Sequence, residues 1–120
     1  IGNLVEHSAH FGDIIGYENH SGQTFLDPGV EPLGRVDHDG TGNNGEDRTE
    51  GARVNNVIGT YMHGSLLPKN PAIADFLIRE AAEWRYGAFE PRQSEDRVAE
   101  LARIDGIAAK ARAGAAGRPR

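Results

Sequence analysis

Glycine and proline divide the first half of this chain into segments that are too short for stable helices. Most of the 16 glycines fall within residues 1–64, and Gly, Asn and Asp in turns supply positive φ angles at little cost. Between these turns lie short runs with β-branched or aromatic residues, a pattern typical of strands. We predict six strands, at Ile1–Glu6, Asp13–Tyr17, Thr24–Leu26, Gly34–His38, Ala52–Asn55 and Val57–Met62.

The second half of the chain has the periodicity of two helices. Asn70 and Pro71 form a start signal, because Asn is a good N-cap and Pro suits the first helical position. The predicted helix covers residues 70–86, and its apolar face consists of Ile73, Phe76, Leu77 and Trp84. A second helix is predicted from about Glu95 to Arg112, with Ser94 as its cap. The small and basic residues 114–120 are predicted to be a disordered tail.

Charge and composition exclude several classes of function. A net charge of −5 argues against general binding to nucleic acid or to anionic membranes, which both require a basic surface. No apolar run approaches the roughly 18–20 residues needed to cross a bilayer, and we expect no signal peptide. The chain contains no cysteine, which excludes disulfides, thiolate metal sites and a cysteine nucleophile within these 120 residues. The strand-like start at Ile1, without a methionine, leads us to expect a piece of a longer protein or a chain whose N-terminus has been processed.

One histidine follows an apolar strand pattern in a way that favours catalysis. The segment 56–64 ends in Tyr61, Met62, His63 and Gly64, which places His63 at the carboxyl end of a predicted strand. Ligands of open α/β sheets collect at that end, and a histidine there can take a proton from a nucleophile and return it to a leaving group. A histidine after a strand is nevertheless more often structural, so this feature needs support from the rest of the chain.

Other segments allow weaker interpretations. Residues 40–45 are rich in glycine, but they lack the phosphate-loop pattern and no helix begins directly after them. A surface turn is therefore favoured over a phosphate site, and a loop lining a substrate channel stays open as an alternative. A zinc site is disfavoured because neither cysteine nor an H-E-x-x-H pattern is present; the histidines concerned are His7, His10, His20 and His38.

Four segments, taken together and in order, resemble class I glutamine amidotransferases of the CobB/CobQ-like (cobyric acid synthase) type. The matching segments are Gly16–Gly22, Gly40–Gly45 with Glu50–Gly51, Gly59–Gly64, and Leu67–Pro71 with Ala74 and Asp75. Within that family they resemble most the glutaminase subunits of lipid II isoglutaminyl synthases. The resemblance covers roughly residues 1–80. It implies an α/β fold, with residues 1–113 as the C-terminal part of the amidotransferase domain: short strands of a mixed sheet followed by two helices.

The resemblance also implies a reaction. A cysteine upstream of this chain would attack the side-chain amide of glutamine, and His63 would activate that cysteine and protonate the departing ammonia. Ser65 stands where many class I members have a glutamate, which fits the CobB/CobQ-like branch and leaves open what orients His63. Glu18, Asn19 and His20 are candidates for that orientation, and Asn19 and His20 are also candidates for substrate binding. No metal site is expected.

The implied partner is a Mur-ligase-like (MurT-like) synthetase subunit, which would hold ATP and Mg and amidate D-glutamate of the lipid II peptide in the cytoplasm during peptidoglycan synthesis. No cofactor is expected in the present chain. Two alternatives stay open: amidation of cobyrinic or cobyric acid in cobalamin synthesis, and a non-catalytic interaction module of the same fold. Without a cysteine, these residues alone are expected to lack glutaminase activity.

Overall fold

The computed structural model describes residues 1–119. A strand-rich first half precedes the helices, as the sequence predicts. The strands are β1 (Gly2–Ser8), β2 (Gly12–Glu18), β3 (Gly34–Val36), β4 (Thr49–Glu50), β5 (Ala52–Val54), β6 (Val57–Gly59) and β7 (Met62–His63). The helices are α1 (Leu66–Lys69), α2 (Pro71–Tyr86) and α3 (Glu95–Ala116). Among the described helices, none is both long and apolar enough to span a bilayer.

Five strands form one sheet in the order β4-β3-β1-β2-β7, and β5 and β6 form a separate hairpin. The central hairpin pairs β1 with β2 from Gly2 opposite Glu18 to Ser8 opposite Gly12. The expected α/β architecture is confirmed. Every strand pair within residues 1–119 is antiparallel, so the mixed pairing that was expected is not found in this part of the chain.

One face of the sheet carries the hydrophobic core. Alternate side chains of a strand point to the same face, and Leu4, Ile14 and Met62 therefore meet Ile73 of α2 in one buried cluster with Leu33 and Val36. The same alternation places Glu6 on this inward face, where it is completely buried. The opposite face contains Tyr17 and His63, which are directly paired across β2 and β7.

The structure corrects several element boundaries. Thr24–Leu26 is not a strand, because the Thr24 N–H donates to the Asn43 carbonyl and its own carbonyl accepts from the Asn44 side chain. The predicted strand Val57–Met62 divides into β6 and β7, which belong to different sheets. At the break, the Thr60 hydroxyl and the Tyr61 N–H both donate to the Glu50 carboxylate instead of to a neighbouring strand.

The helices differ from prediction mainly at their ends. The one-turn helix α1 and the two-residue strand β4 were not predicted. Ser94 caps α3 through the Arg97 N–H, as expected, and α3 continues to Ala116. Residues 114–116 are therefore helical, although the sequence predicts a disordered tail there; the last residue of that tail, Arg120, lies outside the described residues.

Asn70 does not cap α2 with its side chain. The carboxamide instead pairs with the backbone of Ile15 in β2, where it accepts from the N–H at 2.8 Å and donates to the carbonyl at 2.9 Å. β7 pairs with β2 at Tyr17 and Glu18, and the Asn70 carboxamide continues this edge like an additional strand. It thereby joins the start of α2 to the strand beside His63.

Candidate functional site

His63 lies at the exposed end of the short edge strand β7. Its ring packs against the edge of Tyr17, with ring centroids 5.7 Å apart and planes at 76°, an arrangement that aromatic rings prefer. The next residue, Gly64, has φ +77, and a Cβ there would lie 3.2 Å from the Tyr17 Cβ. Glycine therefore lets the chain turn away at once and leaves the imidazole uncovered.

The turn after His63 is fixed by a lysine. The Lys69 ammonium donates to the Gly64 carbonyl, and Ser65 adopts a left-handed conformation with φ 66 as the N-cap of α1. The side chain of Ser65 makes no capping hydrogen bond. β7 is thus held between the β2 strand on one side and the first turn of the helical segment on the other.

Glu18 and His20 form a second polar cluster on the opposite side of this strand pair. The His20 ring stacks on Tyr61, with centroids 3.8 Å apart and planes inclined by 4°. Its Nδ1–H donates to the Gly22 carbonyl at 2.9 Å, since a carbonyl can only accept. Nε2 then lies 3.3 Å from Glu18 Oε2.

The glycine-rich loop closes over this cluster. The Gly42 N–H donates to Glu18 Oε2 at 3.0 Å, and Glu18 itself is buried. Gly42 has φ +75, and a Cβ there would overlap the Thr49 carbonyl oxygen, so only glycine fits. Between the loop and the β2 end lies a recess of about 290 Å³. It is lined by Ile1, Glu18, His20–Gln23, Gly40 and Gly42–Gly45.

The structure separates the sequence-predicted residues into two groups. Residues paired directly across strands share a face, and the register places Tyr17 with His63 and Glu18 with Met62. His20 contacts Glu18 and Tyr61, whereas His63 contacts Tyr17. Asn19 is exposed beyond the end of β2. Glu18 and His20, two of the candidates for orienting His63, therefore line the recess, and Asn19 is exposed. The ring that packs against His63 is that of Tyr17.

The other histidines lie away from both groups. His7 contacts Asp13 at 2.7 Å and Asp37 at 3.1 Å on the surface, and hydrogen bonds to these carboxylates raise the pKa of His7. His10 and His38 are exposed. Within residues 1–119 no three or more His, Asp or Glu side chains are grouped as metal ligands would be.

Sequence reasoning did not predict the burial of two acids, although Glu50 lies in one of the segments that match the family. Glu6 and Glu50 are fully buried, and Glu50 holds the segment that precedes His63. Glu6 could have been recognised, because it lies in phase with Leu4 on the inward side of a predicted strand. Glu50 offered no such pattern, since β4 has only two residues and its neighbours are turn residues.

Comparison with models of protein families identifies the family to which this chain belongs. Residues 2–71 match the CobB/CobQ-like glutamine amidotransferase domain, and these residues include both groups described above. The chain belongs to this family. His63 and the recess of the glycine-rich loop are thus parts of the family domain, whereas most of α2 and all of α3 follow the matched region.

Two relatives agree with this assignment. The chain is 45% identical over 95 residues to the GatD subunit of lipid II isoglutaminyl synthase (glutamine-hydrolyzing) from Staphylococcus aureus, a match that covers 79% of this chain and 38% of the relative. It is 41% identical over 88 residues to the subunit of the same name from Streptococcus pneumoniae, covering 72% of this chain and 34% of the relative. The chain thus spans little more than a third of the length of the curated relatives it matches.

Proposed function

We propose that this chain supplies the histidine part of a glutaminase site in a subunit that releases ammonia from glutamine. The observation that carries the proposal is His63, an exposed imidazole at the end of an edge strand inside the matched family region. The nucleophile must come from residues outside these 120, because they contain no cysteine. The proposal therefore assigns to the chain a role in proton transfer, and not the covalent step itself.

In the proposed reaction His63 acts first as a base and then as an acid. It takes the proton of a cysteine thiol, and the resulting thiolate attacks the side-chain carbonyl carbon of glutamine. When the tetrahedral intermediate collapses, His63 returns the proton to the amide nitrogen, which leaves as ammonia. Water then hydrolyses the glutamyl thioester, giving glutamate and the free thiol. The exposure of His63 and the turn at Gly64 support this role, since both leave the imidazole open to a reacting group.

We further propose that the ammonia passes to a Mur-ligase-like synthetase subunit that uses ATP and Mg to amidate D-glutamate of the lipid II peptide. The names of the two relatives, each a subunit of lipid II isoglutaminyl synthase, support this acceptor over cobyrinic acid. Asn19 and His20 are retained as candidate substrate contacts, because His20 lines a polar recess.

The test is a paired assay of the full-length subunit in complex with its synthetase partner. His63→Ala should lower glutamine-driven amidation by about 10²–10⁴-fold, the usual contribution of general acid–base catalysis. Amidation driven by added ammonium should be unchanged, because the synthetase reaction does not need the imidazole. His10→Ala is the matched control: His10 is exposed and should leave both rates unchanged. Near-normal glutamine-driven activity of His63→Ala would refute the proposal.

A further inference from the structure

A buried acid holds the segment that leads into the His63 strand. Glu50 is completely buried, and one of its oxygens accepts from the Tyr61 N–H at 2.7 Å. Both of its oxygens lie 2.9 Å from the Thr60 hydroxyl. The Thr60 oxygen in turn accepts from the Met62 N–H at 2.9 Å. Three consecutive residues before His63 are therefore tied, directly or through one hydroxyl, to a single carboxylate.

These contacts are unusual because they replace strand pairing. β6 ends at Gly59 and β7 begins at Met62, so Thr60 and Tyr61 lie between two sheets. Backbone N–H groups in such a break need other acceptors, and Glu50 supplies one from β4, at the far side of the sheet order. β7 has only two residues of its own, which means that its position depends on what holds its ends.

Glu50 is supported by a second acid. The Glu6 carboxyl lies beside Glu50 and is also completely buried. If both groups were ionised, neither Glu6 oxygen would have a donor within residues 1–119. Burial first, and the neighbouring Glu50 charge second, raise the pKa of Glu6 to about 10, so Glu6 is protonated at neutral pH. The bound proton turns the contact into a hydrogen bond towards Glu50.

We propose that Glu50, backed by Glu6 and acting through Thr60, is a positioning residue for His63 in the glutaminase reaction. The inference rests on the proposed function of His63. Neither acid touches the reacting atoms. Their effect is to fix the backbone from Thr60 to Met62, so that the imidazole stays against Tyr17 and within reach of the nucleophile. A displacement of about 1 Å at a reacting group can cost roughly 10²-fold in rate.

Thr60→Val in the full-length subunit with its partner tests this positioning. Valine keeps the shape of threonine but removes the hydroxyl, and kcat for glutamine hydrolysis should fall about 10- to 100-fold while KM for glutamine stays within about twofold. Thr60→Ser, which keeps the hydroxyl, should restore kcat. Ser94→Ala is the control, since it also removes a hydroxyl, at the cap of α3 outside the matched region, and it should leave kcat unchanged. Glu50→Gln tests the same contact from the other side and should also lower kcat.

A spectroscopic readout separates failure of this inference from failure of the proposed function. In protein labelled with ¹³C-histidine, the His63 ring resonance should shift or broaden in Thr60→Val and return in Thr60→Ser. If His63→Ala lost glutamine-driven activity but folded Thr60→Val and Glu50→Gln kept it, the positioning role alone would be overturned. If His63→Ala stayed active, the proposed function would fail, and an unchanged His63 resonance in Thr60→Val would then refute positioning independently.

Discussion

Removing the Asn70 carboxamide should detach the start of α2 from the central sheet. The side chain is buried and makes four hydrogen bonds. It accepts from the Ile15 N–H and from Arg112, and it donates to the carbonyls of Ile15 and Leu66. Asn70→Ala leaves the two Ile15 groups without their partner, at a position where Ile15 is 6% exposed. Arg112 retains the carbonyls of Asp13 and Lys69 as acceptors.

The expected cost follows from the two orphaned backbone groups. A buried donor or acceptor left unpaired costs about 1–3 kcal/mol, so two such groups give about 2–6 kcal/mol. Water that enters the space left by the carboxamide can satisfy part of this demand, which moves the expected loss to about 2–4 kcal/mol. Asn70→Asp should be no more stable than Asn70→Ala, because aspartate keeps the shape of asparagine but places a carboxylate oxygen against the carbonyls of Ile15 and Leu66.

Chemical denaturation of the full-length protein, followed by circular dichroism, measures this loss. Asn3→Ala is the matched control, because the half-buried Asn3 makes one side-chain hydrogen bond within residues 1–119, to the Pro119 carbonyl at 3.2 Å. Hydrogen exchange of the Ile15 amide gives a local readout and should accelerate in Asn70→Ala only. If Asn70→Ala were as stable as Asn3→Ala and the Ile15 amide stayed protected, the carboxamide would not be the link between β2 and the helices.

Two further predictions concern the glycine loop and the buried acid. Gly42→Ala should destabilise the protein clearly more than Gly40→Ala, because both positions have positive φ but only a Gly42 Cβ collides with a backbone oxygen, that of Thr49; equal losses in denaturation experiments would contradict this. The pKa of Glu6 is raised from 4.5 to about 10 in the folded state. Its contribution to stability is therefore fully present when the pH is below the unfolded-state pKa, and it is lost as the pH rises towards the folded-state pKa. The free energy of unfolding should therefore fall between pH 6 and pH 9 in the wild type and fall less in Glu6→Gln, and equal slopes would exclude Glu6 as the titrating group.

The parts of the fold that the sequence predicted are those set by local patterns. The strands β1 and β2, the helix α2 and the Ser94 cap follow from local composition, helical periodicity and start signals that lie within a few residues of one another. The strand predicted at Thr24–Leu26 was wrong because the backbone of Thr24 bonds to a loop about 20 residues away. The single strand predicted at Val57–Met62 was wrong because Glu50, an acid outside the segment, accepts from Thr60 and Tyr61. Such distant side-chain acceptors have no periodic signature.

The same distinction explains what could be said of the candidate site. His63 was singled out because its position at a strand end is a local property, and the structure places it at the end of the short strand β7. Its surroundings are set by contacts that no local pattern shows: Tyr17 lies against His63 across the strand pair, Glu50 accepts from the Tyr61 N–H, and Asn70 is bound to Ile15 at the edge of β2. Each depends on the sheet order β4-β3-β1-β2-β7, which propensity does not reveal. A candidate histidine can therefore be recognised from its own segment, whereas the residues around it become visible only when the sheet is assembled.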